Sequence, residues 1–256
     1  MLSAFSFSFQ NQNYSFYPSQ PIDISIPLKT GTDTVNCFWA EPVQIEPIRM
    51  GDFVGSVAEG GSVNYQRLAV TPHGNGTHTE CYGHISTDKN ATINKCLTQF
   101  LFFAKLVSLP LHKLQNGDEI VRLEDVKNAL PEGKIPEALI LRTLPNSEEK
   151  LSRQYSGTNP PYLEPGIGEF LAENNVRHLL LDLPSVDREM DEGKLENHHQ
   201  FWQYPHNTRC GATITELIFV PEHVEDGNYL LNLQIASLEM DASPSKPVLY
   251  KLGRAN

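Results

Sequence analysis

The chain has 256 residues, 39% of them hydrophobic and 20% charged, with 20 Lys and Arg against 31 Asp and Glu and a formal charge of −11. That length suits one large domain or two small ones, and the composition is that of a globular chain able to bury a core, not of a disordered one. The acidic balance, with no Lys/Arg-rich run, excludes a nucleic-acid backbone or an anionic membrane surface as the main partner, because both demand clustered cations.

Residues 1–20 are rich in Ser, Gln, Asn and aromatics, with no basic start, and read as a loosely attached N-terminal arm or edge instead of a secretory signal. Residues 21–256 read as a single domain. Ile22–Leu28 alternates and predicts a strand, and Val43–Pro47 and Val63–Val70 are further strand candidates around a glycine-rich turn. A histidine-bearing strand is expected from Thr77, entered through Gly74-Asn75-Gly76. Leu97–Leu111 reads as a buried strand, Leu123–Leu130 as a short amphipathic helix, and Ala138–Thr143 as a buried strand. After a polar connection over 145–165, Gly166–Asn174 predicts a helix and His178–Leu183 a strand, an order that implies a parallel βαβ pairing. Ala212–Val220 and Tyr229–Ala236 complete the strands. No stretch is apolar enough to cross a membrane, and the result is an α/β chain of many strands. Cys37, Cys81, Cys96 and Cys210 form no C-x-x-C pair and no disulfide framework, so a reducing, cytoplasmic setting is expected.

The chemistry concentrates in HGNGTHTECYGH, residues 73–84. His73, His78 and His84 surround Glu80 there, in a chain with nine histidines in all. Imidazole and carboxylate are the usual protein ligands of zinc and similar divalent ions. On a strand, His78, Glu80, Tyr82 and His84 would share one face and Cys81 would point away. The structural alternative is that these are hydrogen-bonding histidines of an ordinary core. Other chemistries fit less well. Ser185 lacks the G-x-S-x-G elbow of a serine hydrolase, and Gly166-Ile167-Gly168 fails the dinucleotide fingerprint at Leu171. Asp182 and Asp187 flank a proline turn and read as turn-capping residues; His112, His178 and His223 read as structural or exposed. Phe38, Trp39, Tyr82 and Trp202 are candidate walls for an aryl substrate, with ordinary core as the stronger reading of each.

The motif resembles H-x-G-T-H-x-D-x-P-x-H, the hallmark of the metal-dependent cyclase superfamily, which includes bacterial kynurenine formamidases and isatin hydrolases. Gly76-Thr77-His78 matches G-T-H, Glu80 takes the Asp position and His84 the last His. ALILRT, HLLLDLPSVD, HHQFW, ITELIF and DASPSKP follow in the family's order, so the resemblance covers roughly residues 20–250. It implies a single α/β domain with a mixed, barrel-like β core and flanking helices, of the swivelling β/β/α type. It also implies one divalent ion, or two, Zn²⁺ or Mn²⁺, held by His73, His78 and Glu80 and by the distal His198 and Glu216, with His199 and His206 as rivals of His198. His84 would carry protons. The implied reaction is hydrolysis of an amide C–N bond, arylformamidase-like, as in tryptophan catabolism, by a homodimer or tetramer whose partner is a small-molecule substrate. The alternatives are a non-catalytic small-molecule binder with a remodelled metal site, or a dehydratase or lactone cyclase. Three positions depart from the pattern. Gly74 occupies the first histidine's place with His73 one residue early, Glu80 is a methylene longer than Asp, and Tyr82 replaces proline. One tightly held ion and a weaker or absent second are therefore expected.

Overall fold

The computed structural model describes residues 4–130 and 135–254; residues 1–3 of the expected arm and 255–256 of the expected domain lie outside them. Eight strands matter for the site: β1 Ile22–Asp23, β2 His78–Glu80, β3 Leu101–Pro110, β4 Ala138–Leu144, β5 His178–Leu181, β6 Thr213–Glu216, β7 Gly227–Ile235 and β8 Ala242–Lys251. Seven of them follow the order β7-β3-β4-β5-β6-β2-β8, and the pairing of β8 with β7 closes the ring, leaving β1 on β8. Closure removes the free edges at which a sheet would otherwise recruit another chain.

Neighbours from β3 to β6 are parallel and the remaining pairs antiparallel. Parallel strands need crossovers. Those joining β3 to β4, β4 to β5 and β5 to β6 carry helices Leu123–Ala129 (α3), Ile167–Glu173 (α4) and Glu196–Trp202 (α5); α1, Pro72–Asn75, and α2, Ile93–Cys96, are single turns. The expected parallel pairing of the strands at 138 and 178 is what forms, with Ala138 opposite His178.

Alternation divides the core in two. Phe102, Ala104, Leu106, Ala138, Ile140, Leu180, Leu231 and Leu249 point into the ring. Val107, Leu139, Leu141, Leu179, Leu181 and Ile214 point outward, beneath Val126, Ile167, Leu171, Phe201 and Trp202 of the helices. Strands buried on both faces read as continuous apolar runs, which is why β4 and β5 were legible.

Several expectations are corrected. The strand expected over Ile22–Leu28 stops at Asp23, whose carboxylate accepts from the Ser25 amide at 3.0 Å and turns the chain. The one expected over Ala212–Val220 runs only from Thr213 to Glu216, because Leu217 adopts φ 54°. Of the two readings of the N-terminal segment, arm or edge, the edge is what forms. Phe5–Phe9 and Gln12–Phe16 form a hairpin that pairs with Gly253–Arg254 and stacks Phe9 on Phe103 with centroids 4.2 Å apart. Strand β8 escaped the pattern reading altogether, since Pro244 and Pro247 interrupt it and cannot donate to a ladder.

Candidate metal centre

The centre lies on the outer face of the ring where β6, β2 and β8 meet. Thr79 points inward and shares a 2.8 Å hydrogen bond with Thr215, which turns His78 and Glu80 outward. Register then places Glu216 opposite His78, and both Ile214 and Ala242 opposite Glu80, so Asp241, at the foot of β8, falls beside Glu80. The Cys81 amide donates to the Asp241 carbonyl at 3.0 Å and fixes that junction. Only His78–Glu80 is strand; Tyr82–Ile85 is a 3₁₀ turn. His84 therefore arrives from the turn, not from the single strand face expected, while Cys81 does turn into the other core.

His73 reaches the centre from α1. The neighbouring Gly74, which stands where the family pattern has its first histidine, has no room for any side chain: a Cβ would lie 2.3 Å from Ala40 Cβ and 2.8 Å from the Cys37 carbonyl oxygen. From one residue earlier, His73 Nε2 lies 3.4 Å from Glu80 Oε2 and 3.0 Å from Asp241 Oδ2. His198, on α5, lies with Nε2 3.2 Å from Glu80 Oε1. His199 instead faces the Tyr204 carbonyl at 3.2 Å, and His206 is exposed, so neither rival reaches the cluster.

Every residue expected at the site is thus brought together, but in a different grouping. His78, Glu80 and Glu216 form one set of donors, Glu80, His84 and His198 a second, and His73, His84 and Asp241 a third. Glu80 is the hub. His78, Glu80, His198 and Glu216 are deep and almost fully buried, whereas His73, His84 and Asp241 stand at the open edge. Two participants were not found in the sequence as such. Asp241 lies within a matched segment but carries no pattern of its own, and Asp187, read as a turn residue, accepts from His198 Nδ1 at 2.7 Å. The supposed aromatic wall does not assemble: Trp202 is core, donating Nε1–H to the Ala212 carbonyl at 3.0 Å, while Phe38 and Trp39 are exposed.

The donor chemistry fits a divalent cation. His78 Nδ1 donates to the Gly76 carbonyl at 3.0 Å, which leaves Nε2 as a lone pair, 3.3 Å from Glu216 Oε2. His198 likewise spends its Nδ1 proton on Asp187 and presents Nε2 to Glu80. Lone pairs facing carboxylate oxygens repel unless positive charge lies between them. His78 Nε2 and both Glu80 oxygens are buried without a hydrogen-bond partner, a costly arrangement that a cation removes. A carboxylate fixing the far nitrogen of a histidine is the usual support of a metal-binding imidazole.

The local field agrees. Burial pushes the Glu80 carboxyl up, but the imidazoles of His84, His198 and His73 outweigh it and hold it well below the ordinary carboxylate range. Burial opposes charge on His73 and His198, yet Asp241 and Glu80 lift the first to about 10, and Asp187 and Glu80 lift the second to about 10. The carboxylates therefore create a strong demand for cations, and metal ions compete with protons for such nitrogens.

Comparison with known proteins follows the same line. A Bacillus mycoides kynurenine formamidase is 28% identical over 232 residues, covering 90% of this chain and 97% of its own, and one from Bacillus cereus is 30% identical over 192 residues, covering 75% and 82%. Isatin hydrolase A from Labrenzia aggregata superposes with a TM-score of 0.63 at 14% identity, covering 90% of this chain and 93% of its own. A predicted metal-dependent hydrolase from Bacillus stearothermophilus gives 0.62 at 16%, covering 90% and 98%; at such identities the likeness shows the fold. The family model described as "Putative cyclase" matches residues 22–188, more than half of the sequence, and the chain belongs to this cyclase family.

Proposed function

We propose that the protein is a metal-dependent hydrolase of an amide C–N bond, arylformamidase-like, cleaving a formyl-aryl amide such as N-formylkynurenine, or a related cyclic amide, with water. One observation carries the reading: His78 and His198 both spend Nδ1 on a fixed acceptor and turn Nε2 onto a buried carboxylate, Glu216 and Glu80, and neither Glu80 oxygen has a hydrogen-bond partner. The names of the relatives, kynurenine formamidase and isatin hydrolase, support the substrate class. When bound there, a divalent ion, Zn²⁺ or Mn²⁺, would supply a water acidic enough to attack at neutral pH and a positive charge for the developing oxyanion. His78, Glu80 and Glu216 would hold it in the deep part of the cluster, with His198 facing Glu80 Oε1 and His73 facing Glu80 Oε2 at the open edge.

The remaining chemistry belongs to the side chains. Asp187 keeps His198 in one tautomer. His84, with its side chain 30% exposed, has Nδ1 3.4 Å from Asp241 Oδ2, so Nε2 is the nitrogen that takes a proton from water and returns it to the leaving nitrogen. Water adds to the carbonyl carbon, the C–N bond breaks, and the amine leaves with the proton from His84 while the acyl group leaves as a carboxylate.

Chelator dialysis followed by re-addition of Mn²⁺ or Zn²⁺ tests this reading, with hydrolysis of N-formylkynurenine and of isatin followed by absorbance. Activity should vanish and return. Turnover that ignores chelation, or a metal-loaded protein that turns over no formyl-aryl or cyclic amide, would overturn it.

A further inference from the structure

We infer that Tyr82 is a positioning residue for His84: its ring, packed on Tyr204, ties the turn that carries His84 to α5, the helix that carries His198. The inference rests on the reading of His84 as the proton carrier and names what holds that imidazole in place. His84 itself makes only long polar contacts, with Nδ1 3.4 Å from Asp241 Oδ2 and 3.5 Å from Glu80 Oε2. Neither separation is that of a strong hydrogen bond, so the placement of the turn decides where the ring stands. The turn has little backbone support of its own. The His84 amide donates to the Cys81 carbonyl at 2.9 Å and the Ser86 amide to the Gly83 carbonyl at 3.2 Å. Gly83 is pinned, since a Cβ there would lie 1.9 Å from the Ala91 carbonyl oxygen. Side chains fix the remainder: Tyr82 and Ile85 pack on the outer core that Phe201 and Trp202 of α5 help to form.

Tyr204 meets Tyr82 with ring centroids 6.3 Å apart and planes at 32°, within the span of a favourable aromatic pair. It is itself anchored to α5 twice, its amide donating to the His199 carbonyl at 3.2 Å and its carbonyl lying 3.2 Å from His199 Nδ1. His199, which does not reach the cluster, thus holds the tyrosine that holds the turn. Across the same contact the His84 and His198 rings stand 5.4 Å apart. Tyr82 occupies the place where the motif has proline. Proline would stiffen the start of the turn through its fixed φ, whereas tyrosine leaves that backbone free and has to hold it by packing. Cys81, at φ −123° and ψ 177°, has the extended conformation that suits a residue before proline, so proline can be restored at 82.

Hydrogen–deuterium exchange of the His84 and Ser86 amides, with steady-state hydrolysis of N-formylkynurenine by the metal-loaded protein, tests this. Tyr82→Ala and Tyr204→Ala should each speed exchange in the turn about 10-fold. Each should also lower kcat about 10-fold or more, with KM and bound metal near the parent's. The double variant should be no worse than the worse single, because both remove one contact. Tyr82→Phe should match the parent, and Tyr82→Pro should recover slow exchange and most of kcat without the ring. Unchanged exchange in Tyr204→Ala, additive losses in the double variant, or a Tyr82→Pro as impaired as Tyr82→Ala would overturn the positioning role. So would a kcat indifferent to faster exchange, or metal lost in step with kcat, which would place the effect at the centre itself. A parent protein that turns over no formyl-aryl or cyclic amide would overturn the hydrolase reading and the role of His84 with it, and exchange would still decide whether Tyr204 holds the turn.

Discussion

At His198 the neighbouring aspartate decides which ring nitrogen is offered to the centre. Asp187 accepts from Nδ1 at 2.7 Å and from the backbone amides of Asn197 and His198 at 2.8 and 3.2 Å. In Asp187→Asn an amide oxygen can still accept from the backbone, but the charge that favours the Nδ1–H tautomer is gone. Divalent-ion affinity should fall about 10–100-fold with little change in unfolding midpoint. His199→Ala and His206→Ala should bind metal as the parent does, and a loss from either equal to that of His198→Ala would contradict the geometry. Much of this was legible in sequence: the dense run from His73 to His84 advertises donors at short spacing, and family order supplies His198 and Glu216. Asp187 and Asp241 were not assigned, because single carboxylates have no periodicity. What recruits Asp241 is its place beside Glu80 across the ladder, and the two prolines of β8 hid that ladder.

Among the elements, α5 has to be held close for His198 to reach Glu80, and the close approach depends on α4. Gly168 is the contact: a Cβ there would lie 2.4 Å from the Asn197 carbonyl oxygen and 3.0 Å from the Phe201 amide nitrogen. Both are backbone atoms of α5, so they cannot swing aside. Gly168→Ala should displace the helix that carries His198, lowering stability by about 1–3 kcal/mol and releasing metal more readily. Denaturant midpoints and retained metal after dialysis read the two effects, and a variant matching the parent in both would show that the helices can part without cost. The sequence pattern gave α4, whose apolar residues recur at helical spacing. It did not give α5 as a helix: seven residues entered from Leu195 at φ 44° are too short for periodicity to register.

Over the whole molecule, closing the ring makes an interior that treats histidine very differently from the centre outside it. His178 is 1% exposed there, its ring 3.9 Å from that of Phe102, its Nδ1 2.9 Å from Thr213 Oγ1 and its Nε2 without a partner. Burial, aided by the positive charges of Arg177 and Arg209, pushes its pKa down to about 3. Once unfolded, it titrates near the ordinary value of about 6.5. Between those values the unfolded chain binds a proton that the native ring refuses, so stability present above pH 6.5 is lost progressively as pH falls toward 3. His178→Phe removes this linkage while keeping an aromatic ring against Phe102, and the Thr213 hydroxyl it leaves unpaired adds an offset that does not vary with pH. The carboxylates and the histidines of the outer centre are common to both proteins and cancel in the difference. Stability of the variant relative to the parent should therefore rise by about 2–3 kcal/mol between pH 7 and pH 4.5, as measured from urea midpoints. Parallel curves for the two proteins across that interval would mean that the ring admits a protonated His178.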